Sequence, residues 1–138
     1  MTVPEMCKPI FLKGKVIHGR KIGRAINFPT ANLHINQESL TGLSGGVYGV
    51  EVYHKGSMYY GVMNIGIRPT FKEIVPSVSY EVHILDFNQE IYGDSLSIKI
   101  IFFIRDEIAF KSKYQLIQQL NDDVEKVVKI RDERFKKV

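Results

Sequence analysis

A helical period occurs once in this sequence, near its C-terminal end, and it limits what the rest of the chain can build. Ser112 with Gln115 three residues on forms a capping box. Ile117, Leu120, Val124, Val127 and Val128 then keep the three-four spacing of one buried stripe. The outer positions are of mixed charge, and Lys129–Lys137 is basic, as suits a helix C-terminus; it reads as a solvated face. Upstream, the apolar runs are short, rich in β-branched and aromatic residues, and broken by glycine. Several short strands followed by one helix bury their faces by closing on themselves. The pattern predicts an antiparallel barrel or closed sandwich with the helix packed on it.

Val78–Leu85 is the clearest strand. Val78, Tyr80, Val82 and Ile84 share one face; Ser79, Glu81, His83 and Leu85 share the other. Ile10–His18 reads as the first strand, with Gly14 a bulge or a point of close approach. Leu33–Ile35 is a short strand at most. Gly46–Tyr53 and Met58–Ile65 read as a hairpin around a turn of about four residues, His54–Ser57. Leu96–Arg105 alternates less cleanly and is rich in Ile and Phe, so a strand buried on both faces is expected. Gln37–Gly45, Lys72–Ser77 and Asp86–Asp94 are loop or turn, and Pro69 sits in a turn between Gly66 and Phe71. Met1–Pro9 reads as a tail or the remnant of a linker, leaving residues 10–138 as a single domain.

Hydrophobic residues make up 44% and charged residues 25%, the balance of a globular protein with a real core. The single Cys7 excludes an internal disulfide and a cysteine zinc site. No apolar run approaches the ~20 residues of a membrane span, and Met1–Pro9 has no signal-peptide core, so a cytoplasmic protein is expected. The net charge of +4 favours anionic partners, either phosphorylated small molecules or nucleic acid. His18, His34, His54 and His83 show no metal-ligand spacing.

Chemistry concentrates in Gly23–Asn32. Arg20, Lys21 and Arg24 stand among Gly19 and Gly23, where backbone amides can approach an anion closely. Pro29 stiffens the second half of the stretch and keeps Phe28 out of the α region. In an extended chain Thr30 and Asn32 share a face, with Ala31 opposite. A hydroxyl and an amide oxygen beside a phosphate loop suit Mg²⁺, which takes few protein ligands and keeps phosphate oxygens and waters. The stretch is neither a P-loop nor a protein-kinase glycine loop.

The string Gly14-Lys15-Val16-Ile17-His18-Gly19-Arg20, then Gly23-Arg24, then Phe28-Pro29-Thr30-Ala31-Asn32 resembles the signature of the riboflavin kinase (flavokinase) family. So do Glu81-Val82-His83-Ile84-Leu85-Asp86-Phe87, Tyr92-Gly93, Arg105-Asp106-Glu107 and Phe110-Lys111-Ser112, and the likeness spans roughly Gly14 to Val128. It implies a six-stranded Greek-key barrel with a C-terminal helix; the apolar pattern alone would not have given six. It implies transfer of the γ-phosphoryl group of ATP to the 5′-hydroxyl of riboflavin, giving FMN and ADP. By resemblance, Gly19, Arg24, Thr30 and Asn32 hold the nucleotide, Thr30 and Asn32 hold Mg²⁺, and Glu81 is the base. Ile84, Asp86, Tyr92, Arg105, Phe110 and Ser112 surround the flavin. Asn64-Ile65-Gly66 is read as a structural turn near the site.

One departure is Asn27, where the family has glycine before Phe-Pro-Thr; Asn tolerates positive φ but adds bulk beside the nucleotide. No His-x-Gly-His of an adenylyltransferase occurs, so a chain that stops at FMN is expected, as a monomer unless part of something longer. The competing reading is a non-catalytic barrel that senses flavin or binds RNA, with Tyr48, Tyr53, Tyr59 and Tyr60 as stacking platforms.

Overall fold

The structure, a computed structural model, describes residues 10–17, 29–35, 43–68 and 77–136. Gly19, Arg24, Asn27, the tail Met1–Pro9, and most of the Gln37–Gly45 and Lys72–Ser77 loops lie outside the described residues. Six strands precede one helix: β1 (Ile10–Ile17), β2 (Ala31–Ile35), β3 (Gly46–His54), β4 (Ser57–Arg68), β5 (Ser77–Ile84), β6 (Ser95–Arg105) and α1 (Lys113–Lys136). The strands close into a barrel in the order β1-β2-β5-β4-β3-β6, and each neighbouring pair is antiparallel. The barrel and terminal helix that the resemblance implied are therefore present.

Strand alternation sorts side chains into two apolar clusters. Leu12, Val50, Val52, Met63, Ile65, Val82, Leu96 and Ile98 fill the barrel interior. Val47, Tyr60, Val62, Leu85, Ile101 and Phe102 point outward and meet Val124, Val127 and Val128 of α1. The helix thus covers β3 and β4 with the stripe that its period predicts.

β4 runs through Asn64-Ile65-Gly66 to Arg68, where the sequence suggests a turn, and two further local features differ from expectation. The β3–β4 turn is the two residues Lys55 and Gly56, with His54 paired to Ser57, and not four. Lys55 and Gly56 have φ of 48° and 83°, and two positive values match the turn to the right-handed twist of the strands. In β6 only the middle is buried on both sides; Phe103 is exposed. The register between β3 and β6 shifts between Gly49 and Val50, so Ile101 and Phe102 both fall in the cluster beneath α1. A Cβ on Gly49 would stand 2.2 Å from the Phe102 ring; the missing side chain makes room for that ring. Gly14 is a point of close approach: a Cβ there would lie 2.9 Å from Ile35.

Ion pairs fasten α1 and the far end of the barrel. Arg134 pairs with the buried Glu51, which also accepts from the Tyr53 hydroxyl. That bond to Glu51 pushes the Tyr53 phenol up to about 12. Arg131 reaches Asp86 at 3.0 Å. His54, buried, donates to Asp94 at 2.8 Å, and the Asp94 carbonyl accepts from Val16 N of β1.

Candidate active site

Strand register gathers the polar residues. Asn32 of β2 lies directly opposite Glu81 of β5, and Glu81 lies opposite Asn64 of β4. Asn64 is opposite Val47 of β3, and Val47 is opposite Arg105 of β6. On β1, Ile17 faces Asn32. The row Ile17, Asn32, Glu81, Asn64, Val47, Arg105 therefore runs round the outside of the barrel. Its outward direction follows from alternation. Tyr80 and Val82 beside Glu81, and Met63 and Ile65 beside Asn64, belong to the interior. Directly opposed residues have Cβ atoms about 4.5–5.5 Å apart, so Glu81 is flanked by an amide on each side.

A cleft of about 220 Å³ opens between this wall and the helix. Thr30, Glu81, Asn64 and His83 supply its polar side; Ile108, Phe110, Leu116, Leu120 and Val124 supply an apolar side, with Arg105, Glu107 and Asp123 between them. The His83 ring donates from Nδ1 to the Pro29 carbonyl at 2.8 Å, which ties the residue before Thr30 to β5. No described residue hydrogen-bonds to the Glu81 carboxylate. The Asn64 Oδ1 atom is buried and has no hydrogen-bond partner among the described residues. The Tyr80 hydroxyl inside the barrel is in the same condition, and burial pushes its phenol up.

Arg105 is held firmly. Its Nε donates to Asp123 Oδ1 at 3.0 Å and Nη2 donates to Oδ2 at 2.8 Å, while Nη1 donates to the Asp106 carbonyl. The guanidinium carbon stands 5.7 Å from the centre of the Phe110 ring. Asp123 is fully buried and also accepts from Gln119 Nε2 at 3.1 Å. Burying that carboxylate would be costly without this bidentate partner.

Of the residues singled out in the sequence, Thr30, Glu81, Arg105 and Phe110 line the cleft, and Asn32 stands next to Glu81 by register. Ile84, Asp86, Tyr92 and Ser112 are not among its lining residues. Ile84 is in the barrel interior. Asp86 is exposed, with φ of 55°, and pairs with Arg131. Tyr92 is exposed. Ser112 Oγ accepts from Gln115 N at 3.2 Å, while the Gln115 side chain accepts from Lys111 N; the predicted cap is formed. Asp123, Asn64 and His83 also line the cleft, with no site role expected of them from the sequence, and so does Glu107 of the family-like segment Arg105-Asp106-Glu107. Asp123 had a signal: it falls between Leu120 and Val124 on the buried stripe, four residues after Gln119.

A metal would find neutral oxygens here. Among the described residues no group of three His, Cys, Asp or Glu side chains could hold an ion. The side-chain oxygens of Thr30 and Asn32 carry no hydrogen bond from a described residue. Two such ligands fit an ion that brings phosphate oxygens and water with it.

These features define a class: a closed antiparallel barrel whose outer wall and C-terminal helix enclose a cleft with a carboxylate at its polar end. The family model for riboflavin kinase matches residues 6–131, and the chain belongs to the riboflavin kinase family. It is 42% identical over 123 residues to a bifunctional riboflavin kinase/FMN adenylyltransferase of Bacillus subtilis, an alignment covering 88% of this chain and 39% of that one. The chain thus spans well under half the length of that relative. It is 36% identical to the RNA-binding riboflavin kinase RibR of the same organism, covering 86% of this chain and half of that one. Riboflavin kinase from Trypanosoma brucei superposes with a TM-score of 0.63 at 25% identity, covering 89% and 80% of the two chains. A Streptococcus pneumoniae chain described as a macrolide-efflux protein gives 0.79 at 37% identity, covering 85% and 38%. Among the described residues of this chain no helix is long and apolar enough to cross a membrane.

Proposed function

We propose that this chain transfers the γ-phosphoryl group of ATP to the 5′-hydroxyl of riboflavin, releasing FMN and ADP. The observation that carries the reading is Glu81: a carboxylate in the wall of a cleft, flanked in register by two amides, with an apolar compartment a few residues along the same row. Phosphoryl transfer needs charge neutralisation at the phosphates, an oriented hydroxyl and a group to take its proton. Glu81 accepts the proton of the 5′-hydroxyl as that oxygen forms its bond to the γ-phosphorus and the bond to ADP breaks. Thr30 and Asn32 would hold the divalent ion, which supplies charge neutralisation at the phosphates. Gly19 and Arg24 serve the phosphates as well. The isoalloxazine ring occupies the apolar compartment, where Phe110 and the Arg105 guanidinium offer planar faces. Ile84, Asp86, Tyr92 and Ser112 act from outside the cleft lining, through the segments they terminate or support.

RNA binding is supported by the net charge of +4 and by the description of one relative. Weighing against it, Tyr48 and Tyr60 are buried, and the Tyr53 hydroxyl is bound to Glu51, so the expected stacking platform is largely spent on packing. Salt titration of RNA affinity separates the readings, since phosphate-driven binding falls steeply with salt. The deciding experiment is incubation of the protein with riboflavin, ATP and Mg²⁺. FMN and ADP in equal amounts are expected, and absence of FMN with folded protein overturns the proposal.

A further inference from the structure

Asn64 lines the cleft, and its Oδ1 is shut off from solvent with no hydrogen-bond donor among the described residues. A buried acceptor left empty is costly and is rarely retained without a ligand, water or function. The turn reading of Asn64 from the sequence does not account for it: the residue is in the middle of β4, between Met63 and Ile65 of the interior. Its neighbour across the ladder is Glu81 on one side and Val47 on the other.

We propose that Asn64 is a substrate-contacting residue that takes the ribityl hydroxyl next to the reacting one, the 4′-hydroxyl, and so sets the 5′-oxygen against Glu81. This rests on the riboflavin kinase reading of the site. Its basis is the order of side chains along one register row. Asn32 stands on the nucleotide side of Glu81, Asn64 on the other side, and Val47 and Arg105 come next towards the apolar compartment. A substrate with its ring beside Phe110 and its terminal hydroxyl at Glu81 must lay its polyol across Asn64. Rotation about the last side-chain bond of Asn64 turns Oδ1 into the cleft, where it accepts from one hydroxyl. The spacing fits, because opposed residues on adjacent strands are about 4.5–5.5 Å apart at Cβ, comparable to the reach of two adjacent chain hydroxyls. A flavin lacking that hydroxyl leaves the acceptor empty, so Asn64 selects for the polyol as well as aligning it.

The experiment compares riboflavin with 4′-deoxyriboflavin, both with ATP and Mg²⁺, in the unaltered protein and in Asn64→Leu and Asn64→Ala. With riboflavin, kcat/KM is expected to fall roughly ten- to hundredfold in both variants. With 4′-deoxyriboflavin the unaltered protein should show a loss of similar size, and the variants no further loss. Thermal unfolding should show Asn64→Leu at least as stable as the unaltered protein, since an empty acceptor is removed; Asn64→Ala serves if Leu is not accommodated. If the unaltered protein makes FMN and the variants keep the same preference for riboflavin over its 4′-deoxy analogue, the Asn64 assignment is overturned alone. If the unaltered protein makes no FMN, both the kinase reading and this assignment fall.

Discussion

At the scale of the residue, Glu81 carries the sharpest expectation. Glu81→Gln keeps the shape of the side chain and removes the proton acceptor. Loss of a general base costs on the order of a hundredfold to ten-thousandfold, so kcat should collapse while riboflavin affinity and thermal stability persist. Near-normal turnover in the folded variant would remove Glu81 from the role. Asn32 is tested differently, because its proposed task is in the ground state. Asn32→Leu should weaken Mg²⁺-dependent nucleotide binding, measured by calorimetry with and without the ion, and leave riboflavin binding alone; unchanged Mg-nucleotide affinity would exclude it as a ligand. The outward direction of Glu81 was legible in the sequence, because Val78, Tyr80, Val82 and Ile84 alternate with it and three of them are buried in the interior. The company it keeps was not. Asn32 and Asn64 become its neighbours only through pairing with β2 and β4, and register between strands distant in sequence leaves no local trace.

At the scale of the element, the helix was the most readable piece, since its cap and stripe are both local. What could not be read was that an acid in the stripe is buried against a barrel arginine. Gln119 and Arg105 satisfy Asp123, and a stripe rule alone treats a carboxylate as a surface residue. Asp123→Ala leaves the Arg105 guanidinium without its partner, with 14% of its side chain exposed. Removing one member of a buried pair typically costs about 3–5 kcal/mol, so urea unfolding should show a large fall in midpoint. Ser112→Ala removes only a cap and should cost about 1 kcal/mol. Comparable losses for the two would mean that the pair contributes no more than a surface contact. Riboflavin affinity should fall with Asp123→Ala, because that change frees Arg105. The imperfect alternation of β6 has a similar explanation: the register shift opposite Gly49 and Val50 is a property of two strands together.

At the scale of the whole molecule, β1, β3 and the segment before β6 meet at the His54–Asp94 pair. The hydrogen bond from His54 holds the Asp94 carboxyl below the usual carboxylate range, with Lys55 3.7 Å away adding to it. A carboxyl depressed in the folded state stabilises above its unfolded value, 3.8, and that contribution is lost as pH falls through the lower folded value. Asp94→Asn should therefore reduce stability at neutral pH and flatten its decline below about pH 4. Parallel acid-unfolding curves for the two proteins would show that the pair does not contribute. Closure of the barrel has a wider consequence. In an open sheet, strands can slide past one another and the last edge absorbs the error. In a circuit of six pairings the offsets must add up to one fixed total, so a slip at any seam has to be undone at another. The barrel therefore acts as a checksum on alignment: side chains brought together from β2, β5, β4, β3 and β6 stay aligned because the ring closes only when every register is right.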